Sequence, residues 1–316
     1  MTWGSSSTVK VPSISAAERR AKMHEQIKRR MQLETNHLIC AVLGHPGTGK
    51  SGSCMDCRTD EEKEQGMKVL VLDLDDGCTS TWISSFDKDP NIEIIVPIER
   101  FPNGRTDWNE TFKNCQEWVA EARERIDSDE NIKAVVVDGM DKMSQGSNDV
   151  LRYSMLSDHQ KRDRDSLIKA TANMTVPPLA WGVRNDVHAE LFLNICGLET
   201  HKLFITHVKP VYDGANLSKD FAGFEPDWHK WVPQRMLQII HIRKERDGRD
   251  TYYEATLEKC KTNPLALNKK WEVFRITEDE NGQKGFNWNG IEDLKLGKFT
   301  SESHDNTNTD SSKDPK

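Results

Sequence analysis

The sequence predicts an α/β fold, a mainly parallel sheet flanked by helices and followed by a C-terminal β-hairpin. Three observations carry this. From Leu38 onward, short β-prone apolar runs alternate with amphipathic helical stretches, the pattern of strands covered on both faces. The first of these runs leads directly into Gly44-His45-Pro46-Gly47-Thr48-Gly49-Lys50-Ser51. After Val208 the alternation gives way to two β-prone runs joined through Arg246-Asp247-Gly248-Arg249, and Asp-Gly is a strong hairpin turn.

Taken in order, residues 1–13 are rich in Ser, Thr and Gly and are expected to be disordered. Residues 15–33 read as a helix with Met23, Ile27 and Met31 on one face, and Ser15 with Glu18 forms a capping box at its start. Its other faces carry Arg19, Arg20, Lys22, Lys28, Arg29 and Arg30, which suit either solvent or a phosphate-bearing or acidic partner. Strands are expected at 38–43, 69–74, 92–98, 132–137 and 203–208, and helices at 51–65, 108–126 and 185–196. The hairpin strands are 235–243 and 251–257, a further strand covers 271–276, and the polar stretch 300–316 is expected to be disordered. This divides the chain into a start with a basic helix (1–35), a core (36–277) and an extension with a tail (278–316).

Composition narrows the functional classes. Against 44 Lys and Arg stand 51 Asp and Glu, a net charge of −7, so contact with nucleic acid would need local basic patches instead of a global field. No stretch is apolar enough to span a membrane, and the opening residues lack a signal-peptide hydrophobic region, so an intracellular, cytoplasmic location is expected. Seven scattered cysteines fit reduced thiols. The lone Cys54-x-x-Cys57 pair suits helix packing better than zinc or redox chemistry, because it has no second pair.

The segment from Gly44 to Ser51 fits the phosphate-binding loop GxxxxGK[ST]. Its glycines let backbone N–H groups close around a polyphosphate, Lys50 reaches the β/γ-phosphates, and the Ser51 hydroxyl suits Mg²⁺. Residues 44–52, closing with Gly52, are therefore the expected nucleotide-binding segment: Gly44, His45, Pro46, Gly47, Thr48, Gly49, Lys50, Ser51 and Gly52. The strand ending at Asp138 supplies the usual second Mg²⁺ residue of such a site. Many P-loop motors place a glutamate next to activate water, but here the next residue is Gly139. A base must come from the strand that delivers Asp73, Asp75 and Asp76 to the same sheet edge. Asp75 is the candidate, with Asp76 or a turn-forming role as alternatives. Thr206 and His207, polar residues after an apolar run, are placed to contact a γ-phosphate or serve as structural strand-end residues.

The order of P-loop, Asp73-Leu74-Asp75, Asp138, the helix opening Trp181-Gly182-Val183-Arg184-Asn185, Thr206-His207 and hairpin resembles the phage-type RecA-like ATPases. That group includes the single-strand-annealing and recombination ATPases of viruses and prophages. The resemblance spans roughly residues 36–277, with motifs generic to P-loop proteins. It implies a RecA-like core that binds and hydrolyses ATP with Mg²⁺ as a homo-oligomeric ring or filament on single-stranded DNA, in a virus or prophage setting. Departures are Asp75, where family members commonly carry Glu, and a long 140–178 segment. DNA contact in the family follows the fourth and fifth core strands. Here 209–235 interleaves Tyr212, Phe221, Phe224, Trp228 and Trp231 with Lys209, Lys219, Lys230 and Arg235. Aromatic faces stack on bases and cations follow phosphates; the same aromatics also suit covering a sheet edge. Lys209, Trp228, Lys230, Trp231 and Arg235 are the candidate DNA residues. Lys259 and Lys261, in K-x-K spacing at a strand end, correspond to cations that reach a neighbouring subunit's ATP, or are solvated strand-end residues. The alternatives to a recombination ATPase are a DNA-packaging or helicase motor and a non-catalytic, nucleotide-gated assembly protein.

Overall fold

The structure is a computed structural model that describes residues 15, 17–18, 20–21, 23–24, 37–157, 174–177, 180–213, 220–248, 250–279, 282 and 284–291. The chain divides into two units, residues 1–36 and 37–316. In the first, the expected capping box is present: the Glu18 N–H donates to Ser15 Oγ (3.2 Å) and the Ser15 N–H to Glu18 Oε2 (2.8 Å). Arg19, Lys22, Lys28, Arg29 and Arg30 of the basic helix lie outside the described residues, as do residues 300–316.

The second unit is a mixed α/β structure built on a large, mainly parallel sheet flanked by helices. Its strands are β1 (Ile39–Gly44), β2 (Lys68–Asp73), β3 (Ile92–Ile95), β4 (Ile132–Asp138), β5 (His201–Asp213), β6 (Asp220–Pro226), β7 (Gln238–Asp247), β8 (Asp250–Cys260), β9 (Lys270–Glu278) and β10 (Lys284–Trp288). Their order is β10-β9-β8-β7-β1-β5-β4-β2-β3, with β6 paired to β5. The strands β7, β1, β5, β4, β2 and β3 run parallel, whereas β7 to β10 form an antiparallel meander. One strand, β5, thus lies between the P-loop strand β1 and the Asp138 strand β4.

Successive residues of each central strand feed opposite cores, because side chains alternate across a sheet. Cys40, Val42, Val69, Val71, Ala134, Val136, Leu203 and Ile205 enter one core, while Ala41, Leu43, Leu70, Leu72, Val135, Val137 and Phe204 enter the other. This explains why the strands read as unbroken apolar runs. Onto the second core pack α4 (Trp108–Asp127), α5 (Met140–Ser154) and α6 (Trp181–Cys196). The Asp107 side chain caps α4 by accepting from the Asn109 and Glu110 N–H groups.

The helix expected over 51–65 is two helices, α1 (Lys50–Met55) and α2 (Asp60–Glu64). A capping box of Thr59 and Glu62 starts the second afresh. Cys54 and Cys57 are fully buried free thiols in the first core, where burial pushes the Cys57 pKa up to about 12. The helix α3 (Cys78–Ser85), α5, and the strands β6 and β10 had no counterpart in the expected elements. The hairpin's first strand starts later than expected, after a short turn of helix, α7 (Val232–Arg235). β10 joins the sheet from within 278–316, the segment expected to follow the core.

At the amino end of the sheet, Arg125 of α4 and Lys68 of β2 share Glu93 and Glu130 in one ion-pair network, with separations of 2.5–3.0 Å. Arg125 first, then Lys68, holds the Glu130 carboxyl down from its ordinary 4.5 to about 2. A depressed acid stabilises the fold above its unfolded pKa and loses that contribution as pH falls through the folded value. Glu130→Gln is therefore expected to lower the melting temperature at neutral pH, with the gap to wild type closing between pH 4.5 and about 2. The effect should shrink with added salt, since the network is partly exposed. A pH-independent gap in thermal melts would refute this.

Candidate nucleotide site and adjoining groove

The carboxyl edge of the parallel sheet brings together residues that are far apart in sequence. Strand register sets Asp73 beside Asp138, Asp138 beside Ile205, and Thr206 and His207 beside Leu43 and Gly44. Lys50, 5 % exposed, sits inside its own loop and donates from Nζ to the carbonyls of Gly44 (3.1 Å) and His45 (2.7 Å). Burial draws its pKa below the ordinary lysine value, opposed mainly by the charges of Asp138 and Asp141. Binding a polyphosphate would exchange two neutral carbonyl acceptors for charged ones, which strengthens each hydrogen bond.

Ser51 Oγ donates to Asp138 Oδ2, joining the two residues expected to hold Mg²⁺. Burial, reinforced by Asp73 and Asp75, raises the Asp138 pKa, while hydrogen bonds from Ser51 and Cys78 oppose the rise. A buried carboxylate beside a hydroxyl and further acids is a donor set suited to a hard divalent cation. The residues present therefore fit Mg²⁺. Cys78, whose thiol donates to the same oxygen at 3.1 Å, was not foreseen; it opens α3, and nothing in its sequence neighbourhood points to Asp138.

Asp73 and Asp75 have different surroundings. Asp73 is fully buried, and its carboxylate accepts from the Asp75 N–H (3.1 Å) and the Cys78 N–H (2.8 Å), so it holds the turn that leads into α3. Asp75 is one-third exposed and faces Lys142 of α5 at 3.4 Å. Gly139 has φ +101°, and a Cβ there would lie 3.1 Å from Leu74 Cβ and 3.3 Å from the Asp75 nitrogen. A glutamate directly after Asp138 would thus be strained and crowded by the very turn that carries Asp75.

Asp141, also unforeseen, is buried one helical turn beyond Asp138, with Oδ1 3.4 Å from His207 Nδ1. Burial favours its protonated form, but the facing His207 and Lys142 prevail and hold the pKa below the usual carboxylate range. Thr206 is fully buried and donates to the Asp227 carbonyl at 3.1 Å, while the Asp227 N–H donates to the His207 carbonyl at 2.9 Å. The segment after β6 is therefore tied to the strand end that faces the P-loop.

That segment forms one wall of a groove of about 420 Å³, lined by Lys209, Asp227, Trp228, Lys230 and Trp231 among others. Four of the five candidate DNA residues meet here. Arg235, the fifth, ends α7 and does not line the groove. Lys209 pairs with Asp227 (3.1 Å) and Glu225 (3.6 Å). Trp228 and Trp231 are half-buried against the second core, and the Trp231 ring meets Phe192 and His188 edge-on with centroids 5.1 and 5.5 Å apart. Phe224 departs from this group: it is half-exposed and sits edge-on to His45 of the P-loop, with ring centroids 4.4 Å apart. Lys219 lies outside the described residues.

Lys259 and Lys261 lie at the opposite end of the sheet. Cys260 pairs with Gln238, which pairs with Cys40 at the start of β1, so these lysines cannot reach the P-loop of their own chain. Lys259 Nζ donates to the Pro233 carbonyl, and Lys261 Nζ to that of Gln234 at 3.0 Å.

At the far end of the antiparallel meander, Trp288 of β10 packs on the P-loop helix. A Cβ on Gly52 would come within 2.1 Å of its ring, so Gly52 is required by this contact. Trp288 stacks with Phe274 (3.9 Å between centroids) and with Phe86 (5.9 Å).

Among the described residues no helix is long and apolar enough to cross a membrane. No protein-family model matches the chain, and no curated protein matches it in sequence. Among solved structures, that of the RadB recombinase is similar over 77 % of this chain and 89 % of that one, at 12 % sequence identity and a TM-score of 0.37.

Proposed function

We propose that the chain is a Mg²⁺-dependent ATPase of the RecA-like plan, acting as a homo-oligomer on single-stranded DNA in recombination, annealing or repair. The observation that carries this reading is the convergence of Lys50, the Ser51–Asp138 pair, Asp75 and the His207–Asp141 pair on one sheet edge. Lys50 offsets charge on the β/γ-phosphates, and Asp75 orients the attacking water. His207, 3.4 Å from Asp141, faces the γ-phosphate, while Thr206, fully buried and bonded to the Asp227 carbonyl, holds the strand end and does not contact the nucleotide. Mg²⁺, held by Ser51 and Asp138, supplies neutralisation of the phosphate oxygens when bound. The grooved wall of Lys209, Trp228, Lys230 and Trp231 takes the DNA strand. In this reading Lys259 and Lys261 serve a neighbouring subunit's ATP, consistent with their distance from their own P-loop.

A second reading, a nucleotide-gated assembly protein with little turnover, is favoured by one contact: Lys142 sits on Asp75 and competes for the carboxylate that would orient water. Measuring ATP hydrolysis with and without single-stranded DNA separates the two. The ATPase reading expects hydrolysis stimulated by the DNA. It also expects Lys50→Ala subunits mixed with Lys259→Ala/Lys261→Ala subunits to recover activity that neither has alone. Tight ATP binding with no hydrolysis under any of these conditions would leave the assembly reading standing.

A further inference from the structure

The groove has a second wall, built by α5 and α6, that the aromatic segment does not include. Ser144 and Asn148 lie one turn apart on α5, and Arg184 and Asn185 lie in the first turn of α6. Arg184 Nη1 donates to Asn148 Oδ1 at 3.3 Å, while Nε and Nη2 donate to Asn185 Oδ1 at 3.2 and 2.9 Å. Its guanidinium carbon lies 4.6 Å from the centre of the Trp181 ring. Every one of these partners is neutral, and among the described residues no carboxylate pairs with Arg184. Lys209 on the facing wall, by contrast, is neutralised twice. Two amides therefore aim the guanidinium fork while leaving its charge for an anion.

A second, independent observation marks the same wall as made for a ligand. Ser144 Oγ is buried and has no hydrogen-bond partner among the described residues. Behind the wall His188 is fully buried with neither ring nitrogen bonded among the described residues, its ring 4.2 Å between centroids from His229, which lines the groove. Orphaned polar groups are rare in folded proteins, and a site that binds a polar ligand is one place where they are retained.

We propose that Arg184, presented by Asn148 and Asn185, is a phosphate-binding residue of this groove, holding the backbone of a single DNA strand whose bases lie against the indole wall. The bidentate fork of arginine matches two phosphate oxygens. The proposal rests on the single-stranded DNA reading above and adds α5 and α6 to its interface.

The test is fluorescence anisotropy of labelled oligo-dT with the full chain over a series of salt concentrations. Arg184→Ala is expected to weaken binding about tenfold, the loss of a charged hydrogen-bonding contact. The slope of log affinity against log salt should fall by about 0.7, the counterion release of one single-strand phosphate contact. Arg184→Gln, which keeps the stem over Trp181, should show the same two changes and guards against an alanine variant that misfolds. ATP binding should be unchanged in both. Unaltered affinity and slope in a folded variant would overturn this inference and leave the DNA reading intact. Weaker binding with an unchanged slope would mean a packing role and overturn the phosphate contact. Failure of the wild type to bind oligo-dT, with or without ATP, would remove both readings.

Discussion

Lys50→Ala is expected to abolish productive ATP binding, whereas Asp75→Asn should retain binding and lose turnover. The first removes the cation buried at the centre of the loop, between the Gly44 and His45 carbonyls and the Asp138 and Asp141 charges. Hydrogen bonds to charged groups contribute about 1.5–3 kcal/mol each, so loss of contacts to two phosphates should raise Kd by at least about a hundredfold. The second substitution keeps the shape of the side chain and removes its basicity. General-base catalysis contributes about 10²- to 10⁴-fold, and the loss should fall in kcat. Titration calorimetry with ATP and steady-state hydrolysis separate the two defects. Equal affinity of wild type and Lys50→Ala would refute the nucleotide site, and an unchanged kcat in Asp75→Asn would move the base to another group.

Gly52→Ala should be costly for a reason the P-loop consensus does not contain. The new Cβ would meet three Trp288 ring atoms at 2.1, 2.4 and 2.6 Å, and the indole is stacked with Phe274 and Phe86. Overpacking of this kind costs about 1–3 kcal/mol, more where the neighbour cannot yield. Trp288→Ala alone is also expected to destabilise, because it empties one side of the aromatic stack. Combined, the two changes should cost less than their sum, since each relieves part of the other's defect. Urea denaturation of the four proteins provides the cycle. A Gly52→Ala protein as stable as wild type, or strict additivity, would mean that Trp288 does not pack on α1 as described. The corresponding double change at Trp228 and Trp231 is a poor probe of DNA binding, because Trp231 is itself packed on Phe192 and His188.

The central strands and the P-loop were legible because both signals are local: an apolar run feeding two cores, and a glycine spacing that closes one loop. What stayed hidden depended on partners distant in the chain. The helix α5 was masked by Gly146 in its interior, a residue that lowers helical propensity but is needed where the Trp108 ring comes within 2.3 Å of a Cβ. β6 (DFAGFEP) and β10 (KGFNW) were hidden because neither holds an unbroken apolar run and each gains its pairing from β5 or β9. At the site, Asp138 and Ser51 stood out through their motifs. Asp141 and Cys78 did not, since each acquires meaning only through His207 or Asp138 across the sheet edge. Asp73 and Asp75 share a strand-end pattern, and only the turn's N–H groups, which claim Asp73, tell them apart.

The alternation of strand residues between two cores also governs how such a chain can change length over evolutionary time. Deleting Lys133, with the start of β4 held in place, would send Ala134, Val135, Val136 and Val137 each to the wrong core and withdraw Asp138 from Ser51 in the same event. Lineages descended from this sequence should therefore keep strands β1, β2, β4 and the first half of β5 at constant length while gaining and losing residues in the connections between them.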